Sequence, residues 1–258
     1  MEQSRPASFL ASVTGASEAR LCAELGADII DAKNPAQGAL GALPGERVRA
    51  IRAAVPAAVP VSATIGDPTD DPDCAAAAAR FMAAAGADII KVGFWPQECN
   101  QTRVVRQLGA LSLARVRFVA VLLVDRGLDL ALLRPLRDAG FAGIMVDTAD
   151  KRAGALPERL SDDALAKFVN AVQSQGLFAG LAGSLGAGHV PRLLGLGPDV
   201  LGFRGGLCRD GTRTGGIDAA AVRAVRAAIP RAGVPSVPEP CRVPPTGAMA
   251  PWQPERAV

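Results

Sequence analysis

Four lysines, Lys33, Lys91, Lys151 and Lys167, stand among 24 arginines in this 258-residue chain. A guanidinium keeps its proton at any pH the protein meets, whereas an amine can lose it and act as nucleophile or base. A lysine kept in so arginine-rich a background marks a place where that chemistry has a use; survival by chance is the bland alternative. Two lysines held close together disfavour each other's ammonium, so one amine becomes neutral near pH 7. A neutral amine attacks a carbonyl to form a Schiff base. The protonated imine is then an electron sink, which permits proton loss at the adjacent carbon and C–C bond formation. The second lysine, or a carboxylate, handles the protons.

Positioning such a pair is the task of the surrounding elements. Short apolar runs at 9–13, 28–33, 61–66, 88–93, 117–123, 143–148, 178–184 and 200–206 alternate with Ala-, Leu- and Arg-rich helical stretches. The helical stretches fall at 17–25, 45–54, 73–85, 101–114, 128–139, 161–175 and 217–229, with a short one near 188–195. Eight near-continuous apolar strands separated by helices indicate a parallel sheet covered on both faces. That count in about 230 residues predicts an α/β fold, a single (β/α)8 TIM barrel, over residues 1–230. Residues 231–258 are Pro-rich and aperiodic and read as an irregular C-terminal tail. Thr14 or Ser17 is expected to cap the first helix, and Asp73 the third.

Gly-Ala-Asp introduces a strand at 26–30 and again at 86–90, with looser copies at 140–147 and 197–204. The glycine ends a helix and turns the chain into strands 2, 4, 6 and 8. Aligned on Asp28, Asp88, Ala142 and Asp199, the residues three on are Asp31, Lys91, Met145 and Gly202. Five on are Lys33, Gly93, Asp147 and Arg204. Strand side chains alternate, so both positions face the barrel axis at its C-terminal mouth. Lys33, Asp147 and Arg204 fall near one layer, with Asp31 and Lys91 a step below. The bland reading is a set of ion pairs plugging the barrel, which Val, Ile or Leu would do more cheaply. Asp31 is placed to orient Lys33 or shuttle protons; Asp147, with Lys151 four residues on, is placed for later proton transfers.

Strand 7 ends in Ala182-Gly183-Ser184 and strand 8 in Arg204-Gly205-Gly206. Barrels often bind phosphate through backbone N–H groups after these two strands, and glycines admit the anion to the backbone. Gly183, Ser184, Gly205 and Gly206 are therefore the phosphate-cradle candidates, with Arg204 as charged donor. His189, the single histidine, reads as a surface or capping group. Trp95 and Asp67 sit where they could line the mouth, with packing and solvated-turn roles as the alternatives. The acidic run 67–73 lacks the spacing of a calcium loop.

A net charge of +3, spread along the chain, gives no case for nucleic acid or a membrane surface. No apolar run suits a membrane span and no secretory signal is evident, so a cytoplasmic protein is expected. The cysteines Cys22, Cys74, Cys99, Cys208 and Cys241 are scattered and read as free thiols, not zinc ligands. No cofactor or metal is expected. A homo-oligomer is compatible with the sequence, which does not fix the oligomeric state.

The string from Asp28 to Gly41, DIIDAKNPAQGALG, resembles the D-x-K-N-P-x-x-G-x-L-G signature of the (5-formylfuran-3-yl)methyl phosphate synthase family, also called 4-(hydroxymethyl)-2-furancarboxaldehyde-phosphate synthase. The segments 61–67, 88–93, 145–149, 182–184 and 202–206 follow in the family's order, so the resemblance covers about residues 8–230. It implies an enzyme that joins two molecules of glyceraldehyde 3-phosphate, with loss of phosphate and water, to begin the furan of methanofuran. It implies that Lys33 is the Schiff-base lysine and Lys91 the proton acceptor, and that Asp31, Asp147 and Lys151 match the family's further site residues. The Pro-rich tail is not part of the family pattern. A class I aldolase acting on another phosphorylated sugar, or a non-catalytic phosphometabolite-binding barrel, stand as the alternatives.

Overall fold

The eight apolar runs form β1 (Ser8–Val13), β2 (Ile29–Ala32), β3 (Val61–Thr64), β4 (Ile89–Phe94), β5 (Arg117–Leu123), β6 (Gly143–Asp147), β7 (Phe178–Leu181) and β8 (Val200–Phe203). All pair in parallel, and β1 closes on β8 to complete the barrel. These are the strands of a computed structural model that describes residues 7–95 and 101–230. The Pro-rich stretch 231–258, Cys99 and Cys241 lie outside the described residues. The helices are α1 (Ala16–Glu24), α2 (Gly45–Ala54), α3 (Pro72–Ala84), α4 (Gln101–Gly109), α5 (Leu133–Asp138), α6 (Leu156–Arg159), α7 (Asp162–Gln173), α8 (Val190–Leu194) and α9 (Ala219–Ala228).

Strand alternation divides the core in two. Phe9, Ala11, Val13, Ile30 and Ile90 point outward into the layer beneath the helices. Leu10, Ile89, Val119, Val121, Met145 and Val200 point inward and fill the axis. Both faces are dry, which is why the strands read as continuous apolar runs.

The Gly-Ala-Asp repeat fastens the base of the barrel. Gly26, Gly86, Gly140 and Gly197 each end a helix with φ between 71° and 95°, a region that favours glycine. The residue after the turn then pairs with the preceding strand: Asp28 N–H donates to Phe9 O, Asp88 to Val61 O, Ala142 to Phe118 O and Asp199 to Ala179 O. In the three copies that keep it, the Asp carboxylate accepts the N–H of that same partner residue. Phe9 N lies 2.7 Å from Asp28 Oδ2, Val61 N 2.8 Å from Asp88 Oδ2 and Ala179 N 2.8 Å from Asp199 Oδ2. Arg226, Arg52 and Gln173 brace the three carboxylates from the helices.

Several helix starts differ from the sequence reading. No side chain caps α1, whose N-cap is Gly15; instead Thr14 N and Oγ1 donate to Glu18 Oε2 at 2.8 and 3.0 Å. Asp71, not Asp73, caps α3, accepting from Asp73 N and Cys74 N, because Pro72 occupies the first helical position and has no N–H to satisfy. The helix expected at 128–139 contracts to α5, as Gly127 turns the chain at φ 100° and Asp129 holds a turn through Ala131 N. Among the described residues, no helix is long and apolar enough to cross a membrane.

Asp88→Ala removes the acceptor for both Val61 N–H and Arg52, and is expected to cost about 1–3 kcal/mol in denaturant unfolding. Unchanged stability would show that the base hooks add nothing to the fold.

Candidate active site

Period-two alternation carries Asp31 and Lys33 from the end of β2, Lys91 from β4 and Asp147 from β6 into the mouth, where all four are buried. Lys91 Nζ lies 3.1 Å from Asp31 Oδ2, and Lys33 Nζ lies 3.4 Å from Asp147 Oδ2. Two pairs at two depths match the spacing read from the repeat. Lys151, in the turn after β6, reaches back to Asp147 Oδ1 and lies 3.3 Å from Thr148 Oγ1. Asp125 holds that turn by accepting Ala149 N and Asp150 N. Lys167 is exposed on α7, away from this cluster.

Two serines complete the lower pair. Ser12 and Ser62 are the cross-strand partners of Asp31 on either side. Ser12 Oγ donates to Asp31 Oδ2 at 2.8 Å and Ser62 Oγ to Oδ1 at 2.7 Å. The sequence reading passed over both, although a serine at an inward position of an apolar strand is itself a signal.

Burial pushes Lys33 down to about 8; the nearby Asp147 opposes this, while Lys151 and Lys91 reinforce it. Desolvation, rather than the lysine–lysine repulsion expected from the sequence, is the larger cause, and Lys151 weighs more than Lys91. Burial alone would raise Asp31, yet the ammoniums of Lys91 and Lys33 and the two serine hydroxyls hold it below the usual carboxylate range. Asp147 is likewise held low against its burial, by Lys151 and Lys33. An amine with a neutral fraction at neutral pH therefore sits beside carboxylates that stay ionised.

The segment after Lys33 roofs one side of the mouth. Asn34 N–H donates to Gly41 O, Ala36 N–H to Asn34 Oδ1 and Gly66 N–H to Leu40 O, which pins 34–41 into a compact loop. Leu40, fully buried, drops into the axial cluster. It comes so near Gly93 that a Cβ there would lie 2.2 Å from Leu40 Cδ1. The N-P-x-x-G-x-L-G string is thus the sequence of a plug. Trp95 packs on the same cluster, with Arg126 4.5 Å over its ring, so it lines the mouth. Asp67 packs against Gly38.

The opposite rim is built by the ends of β7 and β8. A Cβ on Gly206 would lie 2.2 Å from Leu185 O, so the two loops touch backbone to backbone. Gly183 and Ser184 both take positive φ, and Ser184 Oγ lies 3.4 Å from Lys151 O. Among the described residues, the amides of Ser184, Gly205 and Gly206 have no protein acceptor. His189 Nδ1 accepts Gly186 N–H at 3.0 Å, which is the capping role expected of it.

Arg204 departs from the expected geometry. All five of its N–H donors meet protein acceptors: Nε meets Arg213 O, Nη1 meets Ser12 O and Glu18 Oε2, and Nη2 meets Glu18 Oε1 and Gly215 O. Burial would raise Glu18, but Arg204 and the Thr14 donors hold it low. Arg204 thus secures the rim and keeps no donor for an incoming anion. Arg213, which the sequence reading did not single out, is half-buried and places Nη2 2.7 Å from Gly38 O.

Among the described residues, no group of His, Cys, Asp and Glu is arranged to hold a metal ion. Cys22, Cys74 and Cys208 are free, and burial pushes Cys22 up to about 12 and raises Cys208 as well.

Residues 9–226 match the profile of a family described as 4-HFC-P synthase. A relative from Methylorubrum extorquens, named for (5-formylfuran-3-yl)methyl phosphate synthase, is 43% identical over 230 residues, covering 87% of this chain and 93% of its own. The (5-formylfuran-3-yl)methyl phosphate synthase of Methanocaldococcus jannaschii is 35% identical over 226 residues, covering 81% and 93%. Among solved structures, phosphoribosyl anthranilate isomerase from Thermus thermophilus superposes with a TM-score of 0.61 at 16% identity, over 86% of this chain and 97% of its own. For 3-hexulose-6-phosphate synthase from Salmonella typhimurium the values are 0.59, 18%, 86% and 97%. These two likenesses are of fold.

The depressed Lys33 sets a pH signature. Imine trapping at Lys33 with cyanoborohydride and a small aldehyde should rise with a midpoint near pH 8 and then level off. Asp147→Asn should move that midpoint down, because the carboxylate favours the ammonium. A wild-type midpoint near 10.5, the ordinary lysine value, would remove the electrostatic basis for choosing Lys33.

Proposed function

We propose, for a chain that belongs to the 4-HFC-P synthase family, that the barrel mouth joins two molecules of glyceraldehyde 3-phosphate. The product is 4-(hydroxymethyl)-2-furancarboxaldehyde phosphate, with phosphate and water released. The chain is then a carbon–oxygen lyase acting on phosphates, at the start of methanofuran-type cofactor synthesis and working in the cytoplasm. The observation that carries this reading is Lys33: a buried amine with its pKa near 8, at the end of a barrel strand and beside an ionised carboxylate.

The neutral Lys33 Nζ attacks the aldehyde carbon of one triose, and loss of water leaves a protonated imine. Asp147 lies where it steadies that positive charge, because it already faces Nζ. The imine draws electrons from the adjacent carbon, whose proton passes to the Lys91–Asp31 pair below. The resulting enamine carbon attacks the carbonyl of the second triose. Lys151, shared with Asp147, supplies a proton to departing oxygen at the rim. The amides of Ser184, Gly205 and Gly206, with Gly183 giving the chain its turn, cradle a phosphate group.

Incubation with glyceraldehyde 3-phosphate followed by borohydride should leave an adduct that mass spectrometry maps to Lys33. Lys33→Arg should abolish both the adduct and furan production. Lys91→Arg should keep binding but lower turnover by about a hundredfold to ten-thousandfold, the range for lost acid–base catalysis. A conjugated furan aldehyde seen by its absorbance supports the reading. Simple aldol products would make the chain a class I aldolase instead, and a fully active Lys33→Arg variant would end the imine mechanism.

A further inference from the structure

The rim has a phosphate cradle but, with Arg204 fully engaged, no charge in it from the expected donor. A phosphate monoester carries close to two negative charges, and backbone amides alone do not offset them in a partly dry site. Arg213 is the cation placed to do so. Its backbone carbonyl is fixed by Arg204 Nε at 2.8 Å. The segment that carries it sits beside the cradle, since a Cβ built on Gly205 would lie 3.8 Å from Arg213 Cβ. From there the side chain crosses to Gly38 on the plug loop. Among the described residues it forms no ion pair within 4 Å; Asp147 attracts it from further off, and Asp67 packs against the same Gly38. Its one hydrogen bond is to a neutral carbonyl, which a charged oxygen can displace.

We propose that Arg213 is the substrate-phosphate receptor of the mouth, exchanging the Gly38 carbonyl for the phosphate of a triose held at Lys33. The assignment rests on the reading that a phosphorylated triose is the substrate. It makes Arg213 a specificity residue: it selects the phosphorylated aldehyde over the free one, acting on Asp147 only through space and making no contact with Lys33. In the resting state the same side chain straps the β8 rim to the plug loop, so phosphate binding also frees that loop from its tie.

Arg213→Ala and Arg213→Gln test this; the second keeps a donor for Gly38 but not the charge. Binding of inorganic phosphate, read by calorimetry, should weaken roughly tenfold or more in both variants, the loss expected for one charge-assisted contact. Borohydride trapping at Lys33 should half-saturate at a correspondingly higher concentration of glyceraldehyde 3-phosphate, while trapping of glyceraldehyde is unchanged. Phosphate binding retained by Arg213→Gln, or absent from the wild-type protein, overturns the assignment. An equal loss with both aldehydes does the same, since that marks a structural role. Should the wild type trap neither aldehyde, the imine reading falls, and the phosphate titration decides Arg213 by itself. If Arg213→Ala does not fold, the glutamine variant carries the comparison.

Discussion

Two buried carboxylates face three buried or half-buried lysines at the mouth of this barrel. With every group ionised, the cluster holds one positive charge too many. Low dielectric makes such an excess costly, and the cheapest remedy is to release one proton. Lys33 is the amine pushed down, with burial as the largest cause. Lys91 is the lysine in hydrogen-bond contact with Asp31, and Ser12 and Ser62 fix that carboxylate in place. Lys33 must share Asp147 with Lys151, whose contact with the carboxylate is the closer. Lys33 is therefore the amine left under-compensated. The nucleophile proposed for this site is the amine with the weakest share of a carboxylate, held in a buried mouth.

The rim elements follow from that need for dryness. The loop after β2 begins at Lys33 and ends by driving Leu40 against Gly93 in the axial cluster. Across the mouth, Arg204 spends its whole fork on Glu18 and three backbone carbonyls. This fixes the chain from 204 to 215 in place on the end of β1. Such a commitment looks wasteful for a cation beside the proposed phosphate cradle. It becomes economical once the rim is seen to need a rigid base from which a second arginine can reach.

Much of this was legible in the residues because two periodicities cooperate. Alternation along strands and the Gly-Ala-Asp repeat across them placed Asp31, Lys33, Lys91 and Asp147 on the axis at two depths, where the structure has them. Arg204 obeyed the same register and still went elsewhere. Its partners, Glu18 on a helix and carbonyls of an aperiodic loop, leave no pattern along the chain. Arg213 lies in that loop, so no spacing pointed to it. The sequence points to a depressed amine but not to its dominant cause: lysine count is visible in a sequence, whereas desolvation depends on how deeply the folded mouth buries Lys33. The cap on α3 was misplaced by two residues, because Pro72 decides which aspartate stands outside the helix.

The aspartates of the repeat, which the sequence marks only as the residues that open each strand, are hooks at the base. Each grips the first or second amide of its partner strand with its own side chain. A helix, its turn and its strand therefore arrive with their anchorage built in. A copy of such a unit, set beside the original, would be seated without new residues being invented to hold it. The hooks lie at the opposite end from the lysines, so substitutions at the mouth leave the seating untouched. A barrel of this kind is open to modular inheritance: its foundations can be duplicated intact while its rim diverges from copy to copy. The third copy, with Ala142 in place of the aspartate, keeps the ladder hydrogen bond but not the hook, a trace of that freedom.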